Sequence, residues 1–316
     1  FMEDMGLQIP AYGDSTVPTP GLDKLASSGV VYENAYCVQA TCSPSRSSIY
    51  SGQYPHQTGH MGLAEDFGYY MKKSFVTFLS QLKESNYHTG YSYKIHVSPE
   101  SEIGKHYDVH NNIAKFKKDK ADTKDYNRAV EYLDKFLKNR KPGQPFYYMA
   151  QTHDTHEPFN RGPFKTAPDR APYTTFLGPE IKPLASFGQG LSTKGYLSKM
   201  LASYYNSIQR VDAFVDGCLS ALEKHGLEEN TVVIFSSDHG PSFGRGKLSN
   251  NELGLRVPLI IRWPGSKVVG TRNAALISLL DIAPTMVDIA GRVKPDLYEG
   301  ESLQELSTTG KASKAW

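Results

Sequence analysis

Two uninterrupted apolar stretches limit how this chain can fold. Residues 231–236 (TVVIFS) and 257–262 (VPLIIR) show no alternation of polar and apolar side chains. A strand with one face in water alternates, because successive side chains point to opposite faces. A strand that is apolar throughout is covered on both faces, as in the parallel sheet of an α/β protein. The remaining sequence supplies the elements such a fold needs. Helices are predicted over 20–28, 43–51, 74–85, 127–139, 194–224 and 281–290, and further strands over 30–36, 87–93 and 145–151. Residues 158–192, rich in Pro, Gly and Thr and without periodicity, are expected to form a long irregular segment facing substrate. The expected class is α/β, with a mostly parallel central sheet and helices on both faces.

In open α/β sheets ligands lie beyond the carboxyl ends of the strands. The reactive side chains of this chain gather at such places. Cys42 follows 30–36, Lys94 and His96 end 87–93, His153 and His156 follow 145–151, and Asp238 and His239 follow 231–236. Cys42 stands at the start of the predicted helix 43–51, where unpaired backbone N–H groups and the positive end of the helix dipole favour an anion. Arg46, one turn on, lies on the same side. A lone cysteine is ordinarily a small buried hydrophobe, and that is the expectation for Cys37 and Cys218. Acidic pairs such as Glu3-Asp4 are commonly caps or solvated charges, but their oxygens also suit a hard cation such as Ca2+. His153 and His156 have zinc-site spacing, yet no third soft ligand stands near them in sequence.

Bulk properties exclude several classes. A formal net charge of +2 with 22% charged residues argues against a nucleic-acid binder driven by bulk charge. The run Lys115 to Lys120 is interrupted by Asp119 and followed by Asp122 and Asp125, which reads as a solvated face. No apolar stretch has the length of a membrane span. Three cysteines do not make a disulfide framework. No signal peptide opens the chain, and it starts on Phe1 rather than Met, so a segment removed or not captured ahead of it is expected.

Five motifs carry a family resemblance. Cys42-Ser43-Pro44-Ser45-Arg46, continued by Gly52-Gln53-Tyr54-Pro55-His56, resembles the C-x-P-x-R signature of the type I, formylglycine-dependent sulfatases of the alkaline phosphatase-like superfamily. MEDMGLQIPAYGD resembles their acidic-pair segment. Ser237-Asp238-His239-Gly240, followed by Arg245-Gly246-Lys247 and RVPLIIRWPG, resembles a third segment; Lys94-x-His96 and His153-Asp154-Thr155-His156-Glu157-Pro158 resemble two more. TPGLDKLASSGVVYENAY and LLDIAPTMVDIAG extend the likeness from residue 1 to about 305. KIHVSPE and HDTHEPF lean towards the heparan N-sulfatase-like branch.

The resemblance implies that a formylglycine-generating or anaerobic sulfatase-maturating enzyme oxidises Cys42 to formylglycine. One hydroxyl of the hydrated aldehyde then attacks sulfur, and the other lets sulfate leave. Glu3, Asp4, Asp238, His239 and the matured Cys42 become metal ligands. Ca2+ is expected, with Mn2+, Mg2+ or Zn2+ as alternatives, because His239 stands where many members carry Asn, and imidazole is a softer ligand. Glu3 stands where most carry Asp, and Tyr93 replaces a glycine. Arg46 would bind the nucleophile or an oxyanion, Lys94 a sulfate oxygen, and His96 the formylglycine hydroxyl. His156 and Lys247 would protonate the leaving group, and Asp238 would accept a proton from the hydrated aldehyde. The implied substrate is a sulfated carbohydrate, O- or N-sulfated, and the implied location is the periplasm or beyond. The expected organisation is a catalytic domain over 1–305 lacking the family's first strand, with 306–316 leading towards a missing C-terminal antiparallel subdomain. Two alternatives stay open: a phosphonate or phosphodiester hydrolase on the same scaffold, and an inactive sugar-binding fragment.

Overall fold

The computed structural model describes residues 1–64, 68–72, 75–111, 126–157, 159 and 196–311. Apart from Phe159, the predicted irregular segment 158–192 lies outside the described residues, as does the run 115–120. In chain order the elements are α1 (Pro20–Ser27), β1 (Val30–Tyr36), α2 (Cys42–Ser51), α3 (Pro55–Thr58), α4 (Phe78–Glu84), β2 (His88–Ser92), α5 (Glu100–Gly104) and β3 (Val109–Asn111). They continue with α6 (Tyr126–Asn139), β4 (Phe146–Met149), α7 (Tyr196–Lys224), β5 (Val233–Ser236), α8 (Glu252–Leu255), β6 (Leu259–Arg262), β7 (Thr271–Ser278), α9 (Ile282–Ile289) and α10 (Gln304–Thr309). The predicted elements are all present, most with ends moved by a few residues. Thr77 sets one such end: its side chain accepts from the backbone N–H of Ser80, so α4 starts at Phe78 rather than near residue 74.

The strands form two sheets, ordered β5-β6-β1-β7 and β3-β2-β4. The second is parallel throughout. In the first, β1 and β7 are parallel, and β6 runs antiparallel to both β1 and β5. Only β6 is reversed among the described strands, so the sheet class is the expected, mostly parallel one. All four residues of β6 are buried even so. Successive residues of the central strands enter different cores: Val31 and Ile260 pack with Leu22, Leu25 and Phe214, while Val30, Tyr32, Leu259 and Ile261 pack with Ile277, Leu279 and Ile282. An uninterrupted apolar run therefore reports burial on both faces, not strand direction.

Met2 pairs in parallel beside Ser237, directly after β5, through Met2 N–H to Ser236 O at 2.7 Å. On its other side the Phe1 ammonium donates to Ala150 O, just after β4, at 2.6 Å. The segment thus threads between the carboxyl ends of β4 and β5. Below it, between those two strands, lies an apolar cavity of about 910 Å3 lined by Met149, Phe214, Leu219 and Phe235. This placement delivers Glu3 and Asp4 to the edge where the other polar motifs end. No helix among the described residues is long and apolar enough to cross a membrane.

Candidate active site

Helix α2 is buried along its whole length although half of its residues are serines. Its hydroxyls resolve that conflict locally. Ser47 donates to Pro44 O at 2.8 Å, Ser51 to Ser47 O at 2.7 Å, and Ser45 crosses to Asp238 O at 2.5 Å. Small side chains let the helix sink into the protein, and among the described residues only Ser48 Oγ and Arg46 Nη2 of this helix stay buried without a hydrogen-bond partner. Gly52 ends it at φ +63, where its N–H reaches Ser48 O at 2.8 Å and the Tyr298 ring leaves no room for a Cβ. The other end begins at Cys42, with no side chain capping the first turn.

Around the Cys42 sulfur the predicted residues converge. His239 Nε2 lies 3.2 Å away, Lys247 Nζ 3.3 Å and Asp4 Oδ1 3.8 Å. Asp4 sits at φ +52 and accepts from Lys247 Nζ through both oxygens, at 3.0 and 2.9 Å; Ser242 also donates to it. Asp238 Oδ1 accepts from the backbone N–H groups of Asp4 and His239, both at 3.0 Å, and Oδ2 accepts from Arg46 Nε at 3.0 Å. His239 Nδ1 faces Gly240 O at 2.8 Å. A donated N–H there leaves Nε2 with its lone pair towards Asp4 and Cys42, the orientation a metal-ligating imidazole needs.

A second set faces the β2 and β4 ends. Lys94 pairs with Glu3 Oε1, and His153 Nδ1 meets Glu3 Oε2 at 2.7 Å. The His153 ring stacks on Tyr93 and on His156, with centroids 4.8 and 4.5 Å away. His156 Nε2 is 3.5 Å from Lys247 Nζ, which joins the two sets. His96 follows Lys94 by two residues on the same loop, at φ +56 and beside His60. The Nδ1 atoms of His153 and His156, two histidines at zinc-site spacing, are engaged by Glu3 and by Glu157 O.

The electrostatics follow from burial and these pairings. Burial, then the carboxylates of Asp238, Asp4 and Glu3, push the Cys42 thiol well above its usual range, so an unmodified thiol stays protonated and weakly nucleophilic. Burial opposes ionisation of Glu3, yet Lys94 and His153 hold its carboxyl well below the usual value. Asp238 is likewise held low against burial, by His239 and Arg46. Burial would deprotonate Lys247, but Asp4 raises it above its usual range. Three carboxylates (Glu3, Asp4, Asp238) thus face three cations (Arg46, Lys94, Lys247).

The donor set fits a divalent ion. Ligand atoms of Asp4, Cys42, Asp238 and His239 lie within 4.8 Å of one another, as do those of Glu3, Asp4, Cys42 and His156. Mixed carboxylate and imidazole donors are met in zinc sites, and the carboxylate oxygens also suit Ca2+, Mg2+ or Mn2+.

Three contributors escaped the sequence reading. Gln151 accepts from Arg46 Nη1 at 2.6 Å and donates to the carbonyls of Ser92 and Lys94 at 3.0 and 2.9 Å. Ser242 donates to Asp4, and Ser45 anchors α2 to Asp238. Their only signal was position: each stands within a few residues of a strand end or inside a motif. Of the two remaining cysteines, only Cys37 has the expected full burial. Cys37 is buried, Cys218 partly so, and all three are free thiols.

The α/β fold thus places a buried cysteine at the start of a helix, among acids, imidazoles and lysines gathered beyond the strand ends. The Sulfatase family profile matches residues 1–292, and the chain belongs to the sulfatase family. It is 31% identical over 337 residues to an ulvan-active sulfatase of Formosa agariphila, covering 95% of this chain and 52% of that protein. It is 28% identical to human N-sulphoglucosamine sulphohydrolase, covering 90% and 59%. The chain spans about half the length of the curated relatives it matches. Among solved structures it resembles one in complex with its substrate D-glucosamine-2-N,6-O-disulfate (TM-score 0.74, 20% identity, 98% of this chain and 79% of that one). It also resembles a phosphonate monoester hydrolase of Agrobacterium radiobacter (TM-score 0.78, 19% identity, 100% and 77%).

Proposed function

We propose that this protein hydrolyses sulfate from a sulfated carbohydrate, with Cys42 matured to formylglycine and a divalent cation beside it. The observation that carries the reading is the packing of Asp4, His239 and Lys247 within 4 Å of the Cys42 sulfur, at the first residue of a helix whose N-cap side chain makes no capping bond. The relatives support the substrate class, since two of them are named for ulvan and for N-sulphoglucosamine.

When formed, the hydrated aldehyde supplies a hydroxyl nucleophile and a second hydroxyl that lets sulfate depart. A cation held by Asp4, Asp238 and His239, with Glu3 alongside, supplies Lewis-acid polarisation of the sulfate oxygens. The three carboxylates and three cations of the chain cancel, so a bound dication would leave the site positive and attractive to a sulfate ester monoanion. Arg46 Nη2 is buried with no hydrogen-bond partner among the described residues, a donor available to a hydroxyl or an oxyanion at residue 42. Lys94 and Lys247 bring ammonium groups to sulfate oxygens, and the Lys247–His156 contact provides a proton for the leaving oxygen or nitrogen. His96 serves the residue 42 hydroxyls, and Asp238 takes up their proton. Ca2+ is the ion of choice for the carboxylates; the imidazole of His239 leaves Mn2+, Mg2+ and Zn2+ as competitors. Maturation by a formylglycine-generating or anaerobic sulfatase-maturating enzyme, export from the cell and a catalytic domain over residues 1–305 belong to the same reading.

Co-expression with a maturation enzyme, followed by mass spectrometry of the Cys42 peptide and a desulfation screen over glycosaminoglycan and algal oligosaccharides, tests it. The aldehyde and released sulfate are expected together, and Cys42→Ala abolishes turnover. Full activity with an unmodified thiol refutes the mechanism. His239 favours a second reading, a phosphonate or phosphodiester hydrolase, because some hydrolases on this scaffold pair Asp with His at the metal. Rates on an aryl sulfate and an aryl phosphodiester separate the two.

A further inference from the structure

Backbone strain in this protein gathers at one place. Six described non-glycine residues have positive φ: Asp4, Asn86, Tyr93, His96, Arg245 and Leu248. Asn adopts this conformation with little penalty. Asp4, Tyr93 and His96 belong to the site or to the loop of Lys94. Arg245 is stabilised locally, since Ser249 Oγ donates to its carbonyl at 2.6 Å and its guanidinium reaches Asn251. Leu248 is held by backbone hydrogen bonds, but its side chain makes no polar contact that would favour this conformation. It sits at φ +67, where a bulky side chain is disfavoured, and that side chain is 74% exposed, so burial does not offset the strain.

The backbone around Leu248 is fixed. Its own N–H donates to Ala40 O at 2.8 Å, and its neighbours Lys247 and Ser249 donate to Pro241 O at 2.9 Å and Gly246 O at 3.0 Å. Lys247, one residue earlier, reaches inward to Asp4 and Cys42. Ala40 precedes Cys42 by two residues. Its neighbour Gln39 donates through Nε2 to Met61 O at 3.0 Å, and Met61 is also exposed. Two exposed apolar side chains are thus tied to the short segment that leads into the nucleophile position.

Resting on the sulfatase reading, we propose that Leu248 is a specificity-determining residue: with Met61 it forms an apolar lip against which the C–H face of the sugar carrying the sulfate rests. A pyranose ring presents such a face, and contact removes apolar surface of both partners from water. The lip lies outside the ionic cluster, so it discriminates the carbohydrate without touching the sulfur chemistry.

The test is equilibrium binding of a sulfated disaccharide to the matured protein and to Leu248→Gly, with turnover and thermal midpoint measured alongside. Glycine adopts φ +67 without strain, so the midpoint should not fall. Binding is expected to weaken about five- to tenfold, the equivalent of losing roughly 50 Å2 of apolar contact at about 25 cal/mol per Å2. KM should rise by the same factor at unchanged kcat, and Leu248→Met should restore both. Equal binding by Leu248→Gly overturns the proposal, and so does a fall in kcat with a lowered midpoint. Failure of the sulfatase reading looks different: the unsubstituted protein binds the disaccharide but releases no sulfate, and the lip is still judged by the binding ratio. If the disaccharide does not bind at all, both fall.

Discussion

Glu3 and Asp4 enter the site side by side and end in opposite situations. Both oxygens of Glu3 are taken, one by Lys94 and one by His153, on the side of β2 and β4. Asp4 turns to the β5 side, shares Lys247 and Ser242, and faces His239 Nε2 at 3.2 Å and the Cys42 sulfur. The chain turns at Asp4, which sits at φ +52, so one acidic pair supplies a carboxylate to each half of the site. The Asp4 half is a convergent donor set; the Glu3 half is a closed ion pair that a metal must compete for. On the proposed reading the Asp4 half binds the cation and the Glu3 half positions it, although Glu3 also lies in a group of possible ligand atoms with Asp4, Cys42 and His156.

The strongest way to break this division is to disable each half in turn. Asp238→Asn leaves the fully buried Arg46 beside a neutral amide. Removing one partner of a buried pair costs about 3–5 kcal/mol. We expect turnover to fall by at least about 10^3-fold, as when a preorganised charge is lost at the reacting centre. Calcium binding, followed by calorimetry, should become undetectable. Glu3→Gln should spare most of the metal affinity and lower turnover by about 10–100-fold, the range for a group that orients ligands. If Glu3→Gln abolishes metal uptake as completely as Asp238→Asn, Glu3 is itself a ligand and the two halves are one. Chelation of the wild-type protein should lower its thermal midpoint, with recovery on adding Ca2+ back.

Acid sharpens the same comparison. Glu3 is held well below its ordinary value of 4.5 and His153 below 6.5, the latter chiefly by burial. In both, the folded protein binds the proton less readily than the unfolded chain. The stability each contributes is therefore complete above its ordinary value and is lost as pH falls through the lowered one. Denaturant unfolding measured between about pH 6 and pH 3 should show stability falling throughout, more steeply below 4.5. Glu3→Gln should flatten the lower part of the curve, and the stability it removes should be largest above pH 4.5, where the Glu3 contribution is complete. An unchanged slope in the variant would show that the Glu3 half carries no linked proton.

Much of this could be read from residues alone, and the gaps have physical causes. The strands over 231–236 and 257–262 were legible because two-sided burial leaves a continuous apolar run, but direction leaves no such trace, and β6 runs against its neighbours. Edge strand β7 was missed: Thr271, Arg272 and Asn273 are solvent-facing or partly so and carry no apolar alternation. The motif residues were legible because each follows a strand. Their partition into two halves was not, since it depends on the turn at Asp4 and on the Phe1–Met2 segment lying between β4 and β5. A family resemblance assigned Glu3 to the metal; its pairing with Lys94 and His153 arises across 91 and 150 residues of chain, beyond any local pattern.

The smallest effect concerns the residue that couples the halves. The Gln151 side chain accepts from Arg46, which holds Asp238, and donates to Lys94 O, whose side chain holds Glu3. Gln151→Leu strands an Arg46 N–H and two carbonyls, at a cost of about 1–3 kcal/mol for buried groups left without partners. Turnover should drop by about tenfold, because Arg46 and the Lys94 loop lose their common anchor while every group at the metal remains. Gln151→Glu discriminates further. Its carboxylate keeps the Arg46 contact but turns an acceptor towards the carbonyls of Ser92 and Lys94, so the Lys94 loop suffers while Arg46 does not. If coupling matters, the glutamate variant raises KM for a sulfated substrate more than it lowers kcat, and the leucine variant, which loses both anchors, raises KM and lowers kcat. Identical profiles for the two would mean that Gln151 fills space and transmits nothing between Arg46 and Lys94.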